Sequence, residues 1–429
     1  MTKDLIKYLI SYYQDFVSEI VFEKRQYELE ANANYVFVGL RRAGKSYLMY
    51  QQIHNLLEQN HSIEEILYFN FEDDRIENMD VSDLDLIKCS YEEMYDHRPI
   101  FFLDEIQNIK GWEKFARRLA DTGYRVYITG SNAKMLSSEI ATTLGGRYLI
   151  KNVYPFSFNE YLVFKRIDIN DKNAIYKYRN NIIKAYEEYF YDGGLPETLQ
   201  MADKRSWISS LFNKIFFGDL VSRHQIRNDF ALRIMIRKLA ESVKQPTSYN
   251  RIASIASTVG KKISVDTVID YMSYLQESWL ILPFENIAAK LIDKEANRKY
   301  YFIDNGILNL FLIDPITSLL ENQVAIRLRQ LYDDDIYFYN KNIEVDFVAY
   351  NAKVAIQVAY SLSNPETEKR EVDALVKLNK VLPMQQFLII TKEEEREILR
   401  DDITIQVVPI WKWLLTETNL YHKHTSMLR

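Results

Sequence analysis

Cysteine is almost missing from this chain. Cys89 stands alone in 429 residues, so no intrachain disulfide can form and no Cys-rich zinc framework is available. Glycine and proline are sparse as well, at 12 and 9 residues, which excludes a linker-rich or low-complexity protein and implies folding throughout. Long apolar runs are lacking: no window approaches the roughly 18–20 uninterrupted apolar residues of a bilayer-spanning helix. The start, Met1-Thr2-Lys3-Asp4-Leu5-Ile6-Lys7, interrupts its apolar residues with charge and builds no signal-peptide core. Together these absences lead to the expectation of a cytoplasmic protein without membrane contact. Positive charge is not in excess either, since a net charge of −6 argues against a surface that traps polyanions everywhere. Residues 201–290 depart from this with 13 Lys/Arg against 8 Asp/Glu, which reads either as a basic face or as a solvated helical surface.

A chain of 429 residues exceeds what one hydrophobic core usually supports, so two or three domains are expected. Between 35 and 150, short apolar runs alternate with longer amphipathic stretches, the pattern of a parallel sheet covered by helices. The runs at 35–38, 66–71, 100–103, 126–129 and 148–153 predict five strands, and their near-continuous apolarity suits burial on both faces. Residues 4–30 read as a helix polar on one side. After Pro155 the pattern turns helical, with long helices from 173, a Gly-Pro break at 192–197, and two short capped helices at 248–259 and 264–275 followed by a strand at 279–285. That last order suits a winged helix. Strands return at 300–303, 336–340, 344–350, 354–359, 386–390 and 404–408, with helices at 316–331 and 365–381.

Gly39-Leu40-Arg41-Arg42-Ala43-Gly44-Lys45-Ser46 matches the G-x-x-x-x-G-K-[ST] pattern and stands after a strand and before a helix that starts at Tyr47. Glycines let backbone N–H groups close around phosphate oxygens, and a helix N-terminus adds partial positive charge. Lys45 then reaches the β/γ-phosphates of ATP, and Ser46 binds Mg²⁺. The strand Ile100-Phe101-Phe102-Leu103 ends in Asp104 and Glu105, which leaves room after the P-loop for one strand–helix unit. Asp104 is expected on Mg²⁺, and Glu105 as the base that orients and deprotonates the attacking water. Thr129-Gly130-Ser131-Asn132 ends the next strand, where Ser131 or Asn132 senses the γ-phosphate or caps a helix. Arg147 precedes the fifth strand and presents a cation to phosphate, in cis or to a neighbouring subunit, or else makes a surface ion pair. Arg41 and Arg42 lie within the loop with phosphate, partner and solvent all open to them. Asn70-Phe71-Glu72-Asp73 offers an acidic contact near the site or a loop cap.

These residues, with Leu103-Asp104-Glu105-Ile106-Gln107, Trp112, Gly146-Arg147, Pro155-Phe156-Ser157-Phe158, Gly193-Gly194-Leu195-Pro196-Glu197 and Glu344-Val345-Asp346-Phe347, resemble a bacterial and archaeal family. Its members are AAA+-type (ASCE P-loop) ATPases whose core is joined to a C-terminal winged helix and a degenerate restriction-endonuclease-like region of unknown function. The resemblance implies a catalytic Glu, an adenine contact near Gly194 and Pro196, and dealings with nucleic acid. It also places Glu321, Asp346 and Gln357-Val358-Ala359 on the Glu, Asp, (D/E)-x-K layout of such nucleases. Gln357 offers no charge and Ala359 no ammonium, so either the site is vestigial or a lysine has moved, with Lys353, Lys369 and Lys377 as candidates.

The expectation is an α/β chain: a P-loop core with an N-terminal helix at 1–155, a helical lid at 156–204, a winged helix at 205–295 and a smaller α/β nuclease-like domain at 296–429. It hydrolyses ATP to ADP with Mg²⁺ to drive or gate a conformational change, with DNA contacted through 205–295 and assembly into a homo-oligomer among the open alternatives. Two other functions stay in play, a slow-turnover signalling or scaffold switch and an ATP-regulated metal-dependent nuclease.

Overall fold

The computed structural model describes residues 1–131, 142–169, 173–259, 262–290 and 297–416. The chain divides into two compact units, one formed by Met1–Tyr154 with Glu277–Trp279 and one by the remainder.

The first unit runs α1 (Lys3–Glu19), β1 (Asn34–Val38), α2 (Lys45–Glu58), β2 (Ile66–Asn70), α3 (Leu84–Glu92), β3 (Ile100–Asp104), α4 (Trp112–Asp121), β4 (Val126–Gly130) and β5 (Tyr148–Asn152). Its five strands form one parallel sheet in the order β2-β3-β4-β1-β5. Every residue of β3 and β4 is buried, as continuous apolar runs covered on both faces require. This is the expected α/β architecture of a P-loop NTPase, with β4 lying between the P-loop strand β1 and the acidic strand β3. Parallel register aligns all the carboxyl ends, so Val38, Asn70, Asp104 and Gly130 reach the same edge.

The helix expected over 4–30 stops at Glu19, where Ile20 turns extended. The reason lies in Arg25, a buried arginine whose backbone N–H donates to Gln51 Oε1 at 2.7 Å. Its guanidinium donates to Ala43 O and Tyr154 O, each at 2.9 Å. A helix carried through 30 would commit that N–H to its own carbonyls, and the guanidinium would no longer tie the P-loop to the end of β5. α1 itself packs on β2, the edge strand, and on α3.

The second unit contains α5 (Phe158–Phe164), α6 (Ala174–Lys177), α7 (Arg179–Asp192), α8 (Lys204–Lys214), a π-helical stretch (Ile215–Ser222) and α9 (Asp229–Glu241). There follow β6 (Thr247–Ser248), α10 (Tyr249–Val259), α11 (Val265–Glu277), β7 (Ile281–Asn286) and β8 (Asn297–Phe302). Next come α12 (Asn305–Asn309), α13 (Ile316–Tyr332), β9 (Ile336–Asn340), β10 (Glu344–Ala349), β11 (Val354–Val358), α14 (Pro365–Val381), β12 (Gln386–Thr391), β13 (Arg396–Arg400), β14 (Ile403–Pro409) and α15 (Ile410–Thr416). Among the described residues the nine strands of this unit join one mixed sheet, ordered β13-β14-β12-β11-β10-β9-β7-β8-β6. The strand after the two short helices therefore belongs to the same sheet as the C-terminal strands, with β7 antiparallel to β8 and parallel to β9. The boundary expected at 295/296 lies outside the described residues. Strand β13 has no counterpart in the sequence reading, because Arg396, Glu397 and Arg400 stand exposed along the sheet edge and hide the alternation. Val345, Ala355, Leu375, Leu378, Ile389 and Ile405 lie in the core between α14 and the sheet.

Two glycines of the first unit should respond very differently to a methyl group. A Cβ on Gly39 would stand 2.1 Å from Val153 O, beside the 2.7 Å hydrogen bond from Val153 N to Val38 O, so β1 and β5 would have to separate. Gly146, at φ +68°, has nothing within 4 Å of such a Cβ and carries backbone strain alone. Gly146→Ala should cost about 1–2 kcal/mol, and Gly39→Ala at least ~3 kcal/mol. Urea melts check this, and equal midpoints in the two variants would contradict the close approach.

Candidate functional site

The P-loop bends because Arg42 and Gly44 both adopt positive φ, 64° and 95°, and α2 then starts at Lys45 with no side-chain cap. Its first N–H groups therefore point out of the helix end toward the loop's hollow, a donor set suited to phosphate. Lys45 is only 4% exposed and curls back, its Nζ donating to Gly39 O and Leu40 O, each at 3.2 Å. The same ammonium lies 3.4 Å from Glu105 Oε1.

Asp104 closes β3 as a buried carboxylate reached by three hydroxyls from three elements. Ser46 Oγ donates to Oδ1 at 3.2 Å, Tyr68 OH donates to Oδ2 at 2.6 Å, and Thr129 Oγ1 donates to Oδ1. Burial pushes its pKa up, the neighbouring Glu105 charge adds to that, and the three hydroxyls oppose both. Glu105 sits in the left-handed region at φ 54°, held there by its N–H donating to Thr129 Oγ1 at 2.8 Å. Burial alone would raise its pKa, but Lys45, the Gln107 amide, Arg41 and Ser131 together bring it below the usual carboxylate value. Gln107 Nε2 donates to Glu105 Oε2, and the Ser131 N–H donates to the same oxygen at 3.2 Å.

Lys45, Ser46, Asp104, Glu105 and Ser131 are thus brought together at one sheet edge. Gly39, Leu40, Ala43 and Gly44 shape the loop around them. Arg41 pairs with Glu72 at 2.8 Å, Arg42 is exposed, and Tyr47 is exposed with its ring 5.4 Å from Tyr50. The donors and carboxylates present fit a nucleotide phosphate chain with its divalent ion: Ser46 and Asp104 would hold the ion, and the α2 N–H groups with Lys45 would meet the phosphates. Thr129, Tyr68, Gln107 and Arg25 were not singled out in the sequence reading. Gln107 and Thr129 stand inside motifs quoted there, whereas nothing local marks Tyr68 or Arg25.

A family model described as an AAA domain matches residues 31–162, and one described as a domain of unknown function (DUF8612) matches residues 183–316. Over 416 residues the chain is 32% identical to the Uncharacterized protein MJ1544 of Methanocaldococcus jannaschii, an alignment spanning 93% of this chain and 92% of that one. The chain belongs to the family of MJ1544. An uncharacterized protein of Haemophilus influenzae is 31% identical over 396 residues, 89% of this chain and 94% of its own length. Among solved structures, a Walker-type ATPase of Pyrococcus abyssi aligns with a TM-score of 0.39 and 13% identity, covering 65% of this chain and 90% of that one. The Aeropyrum pernix ORC1 protein in complex with DNA aligns with a TM-score of 0.30 and 14% identity, covering 76% and 94%. The first unit of this family member contains an AAA-type, ATPase-like domain.

Other expected site residues fall elsewhere. Asn132 lies outside the described residues. Arg147 corrects the reading in cis: Tyr148 pairs with Asn34, so Arg147 stands at the amino edge of the sheet, five β1 residues or roughly 16 Å from the P-loop edge. There its Nε pairs with Asp121 and its Nη1 donates to Gly145 O at 2.9 Å. Gly194 and Pro196 belong to the second unit. Gly194 N–H donates to Asp304 Oδ2 at 2.7 Å, its carbonyl accepts from Phe156 N–H at 2.7 Å, and Pro196 opens a short 3₁₀ turn.

The second unit also gathers Glu321 from α13, Asp346 from β10 and Gln357 from β11 at one wall of a cavity of about 800 Å³. The lysine set among these carboxylates is Lys299 on β8, which the sequence reading did not name. Its fully buried Nζ lies 3.2 Å from Glu344 Oε1 and 3.5 Å from both Glu321 Oε1 and Asp346 Oδ1. Burial works against that charge, but the three carboxylates outweigh it and raise the lysine pKa. Tyr301 OH donates to Glu321 at 2.8 Å, and burial pushes the Glu321 carboxyl up to about 8. Lys353 Nζ instead lies over the Tyr350 ring, Lys369 is exposed on α14, and Lys377 lines the cavity. Among the described residues no group of three or more acidic, His or Cys side chains is arranged to hold a metal. Lys299 thus stands among the carboxylates that the nuclease layout would use, while Gln357 brings no charge to hold a divalent ion, and the expectation remains that this cavity does not cut nucleic acid. Plasmid and single-stranded DNA incubated with Mg²⁺ or Mn²⁺ should therefore remain intact on gels. Cleavage that disappears in Asp346→Ala yet survives Lys45→Ala would reverse this.

Proposed function

We propose that this protein binds ATP with Mg²⁺ at the P-loop and hydrolyses it to ADP and phosphate, using the nucleotide state to gate a conformational change. The observation that carries the reading is the Lys45–Glu105 pair at 3.4 Å, set beside Asp104 and Ser46 at the open edge of the sheet. Lys45 donates to two loop carbonyls and lies beside Glu105. A phosphate chain offers that ammonium a better partner, and Glu105 then loses the cation that depresses its basicity. Still positioned by Gln107 and the Ser131 N–H, it can take a proton from water. Mg²⁺ neutralises charge between the phosphates when it is bound. The lid within 156–204 and the adenine contact of Gly194 and Pro196 stay what the family resemblance implies.

The contacts to Glu105 favour one second reading, a switch that holds ATP for long periods, since Lys45, Gln107 and the Ser131 N–H all restrain that carboxylate. Turnover separates the two. ATP–Mg²⁺ at ~100 times its dissociation constant should stabilise wild type by about 2.7 kcal/mol, with Lys45→Ala abolishing the shift and Glu105→Gln keeping it while turnover falls by on the order of 10². A thermal shift that survives Lys45→Ala would remove the P-loop assignment, and near-normal turnover in Glu105→Gln would move the base elsewhere.

For Arg147 the proposal is a role in trans, on the nucleotide of a neighbouring copy in a homo-oligomer. Specific activity should then rise with protein concentration in wild type and stay flat in Arg147→Ala, at unchanged ATP affinity. Concentration-independent activity in wild type would refute it.

A further inference from the structure

The excess positive charge of 201–290 is not spread along that stretch. Residues 203–244 carry nine Lys/Arg against four Asp/Glu, whereas 245–290 carry four of each. Helix α11, the second of the short pair in the expected winged helix, bears Asp266, Asp270 and Glu277 and no lysine or arginine. Its surface would repel a phosphate backbone.

Three of these nine basic residues line a polar cavity of about 530 Å³ between α8 and α9. Arg205, Ser206, Ser209 and Asn213 follow one another at helical spacing along one face of α8, and Arg233 and Arg237 stand one turn apart on α9. Phe212 and Phe311 line the same cavity, their rings 5.0 Å apart. Among the described residues none of the three guanidinium groups makes an ion pair. Arg205 donates to Asn309 O at 3.4 Å, and Arg233 lies over the Phe216 and Phe217 rings at 4.2 and 5.6 Å. Asp203 caps α8 through Ser206, and Glu241, the one acid lining the cavity, lies 3.6 Å from Lys238 on its own helix. Three guanidinium groups against one carboxylate leave the hollow positively charged, and a phosphodiester accepting several planar N–H donors relieves their mutual repulsion. Phe217, 48% exposed beside Arg233, adds a flat apolar face, and Phe230, 49% exposed, lies one turn before Arg233 on α9. Phosphate-binding arginines next to exposed rings make a surface for single strands, whose bases are free to stack.

We propose that the α8–α9 cavity is a binding site for single-stranded nucleic acid, with Arg205, Arg233 and Arg237 on backbone phosphate and Phe217 stacking on a base. The site is independent of nucleotide at the P-loop. A fluorescent dT oligonucleotide titrated without ATP should bind wild type in a salt-sensitive manner. Arg205→Ala/Arg237→Ala should weaken binding at least tenfold and flatten the log–log salt dependence by about 1.4, the loss of two contacts at ~0.7 each. Lysine at both positions should restore the slope. Phe217→Ala should lower affinity about tenfold with the slope unchanged, which a purely structural role for the ring would not do. Lys45→Ala should bind as wild type, so failure of the ATPase reading and failure of this one are read separately. Unchanged affinity in the double alanine variant overturns the proposal. So does equal binding of polyglutamate, which would mark a site for acidic protein, or complete displacement by tripolyphosphate with Phe217→Ala unaffected, which would mark a site for free polyphosphate.

Discussion

Asp104 is a carboxylate at the end of a fully buried strand, and it receives hydroxyl hydrogen bonds from Ser46 on α2, Tyr68 on β2 and Thr129 on β4. A charge at that depth is costly unless its lone pairs are filled, so each of those elements has to bring its hydroxyl against the carboxylate. The strand order follows the same demand, since β4 has to lie beside β3 for Thr129 to reach Asp104 and, through the same oxygen, the N–H of Glu105. Much of what makes the P-loop edge chemically useful can be traced to satisfying this one group. Glu105 is held in a left-handed conformation, Lys45 is turned onto it, and Ser46 already faces the carboxylate with which it would share a metal.

Arg25 performs a comparable service for the back of the loop. One guanidinium bridges the carbonyls of Ala43 and Tyr154, coupling P-loop shape to the end of β5. In the second unit the organising charge is inverted: a buried ammonium, Lys299, is surrounded by Glu321, Glu344 and Asp346. Such a cluster resembles a metal site in its carboxylates and differs from one in its cation. Breaking either arrangement would leave a buried charge without its partner, which is far more costly than never having buried it.

Legibility differed sharply between elements. The five strands of the first unit and helices α13 and α14 stood out because apolar periodicity reports directly on burial. The end of α1 did not, since Arg25 sits in a stretch of mixed charges whose helical spacing says nothing about the carbonyls awaiting it. Strand β13 was hidden by its exposed edge charges, and Lys299 by the charged run that precedes it, where any lysine reads as solvated.

By itself, the sequence determined the α/β class of the first unit, the P-loop octapeptide and the acidic pair that ends β3. These are local features, because a contiguous run of residues carries both the backbone bend and the chemistry. Tertiary structure alone decided which residues share a place. Register put Arg147 at the opposite edge from the P-loop, sheet order brought Lys299 to Glu321 and Asp346, and the packing of α8 beside α9 joined Arg205 to Arg237. Each of these depends on which strand ends align and which helix faces meet, a long-range outcome of burying apolar surface that no short window of residues encodes.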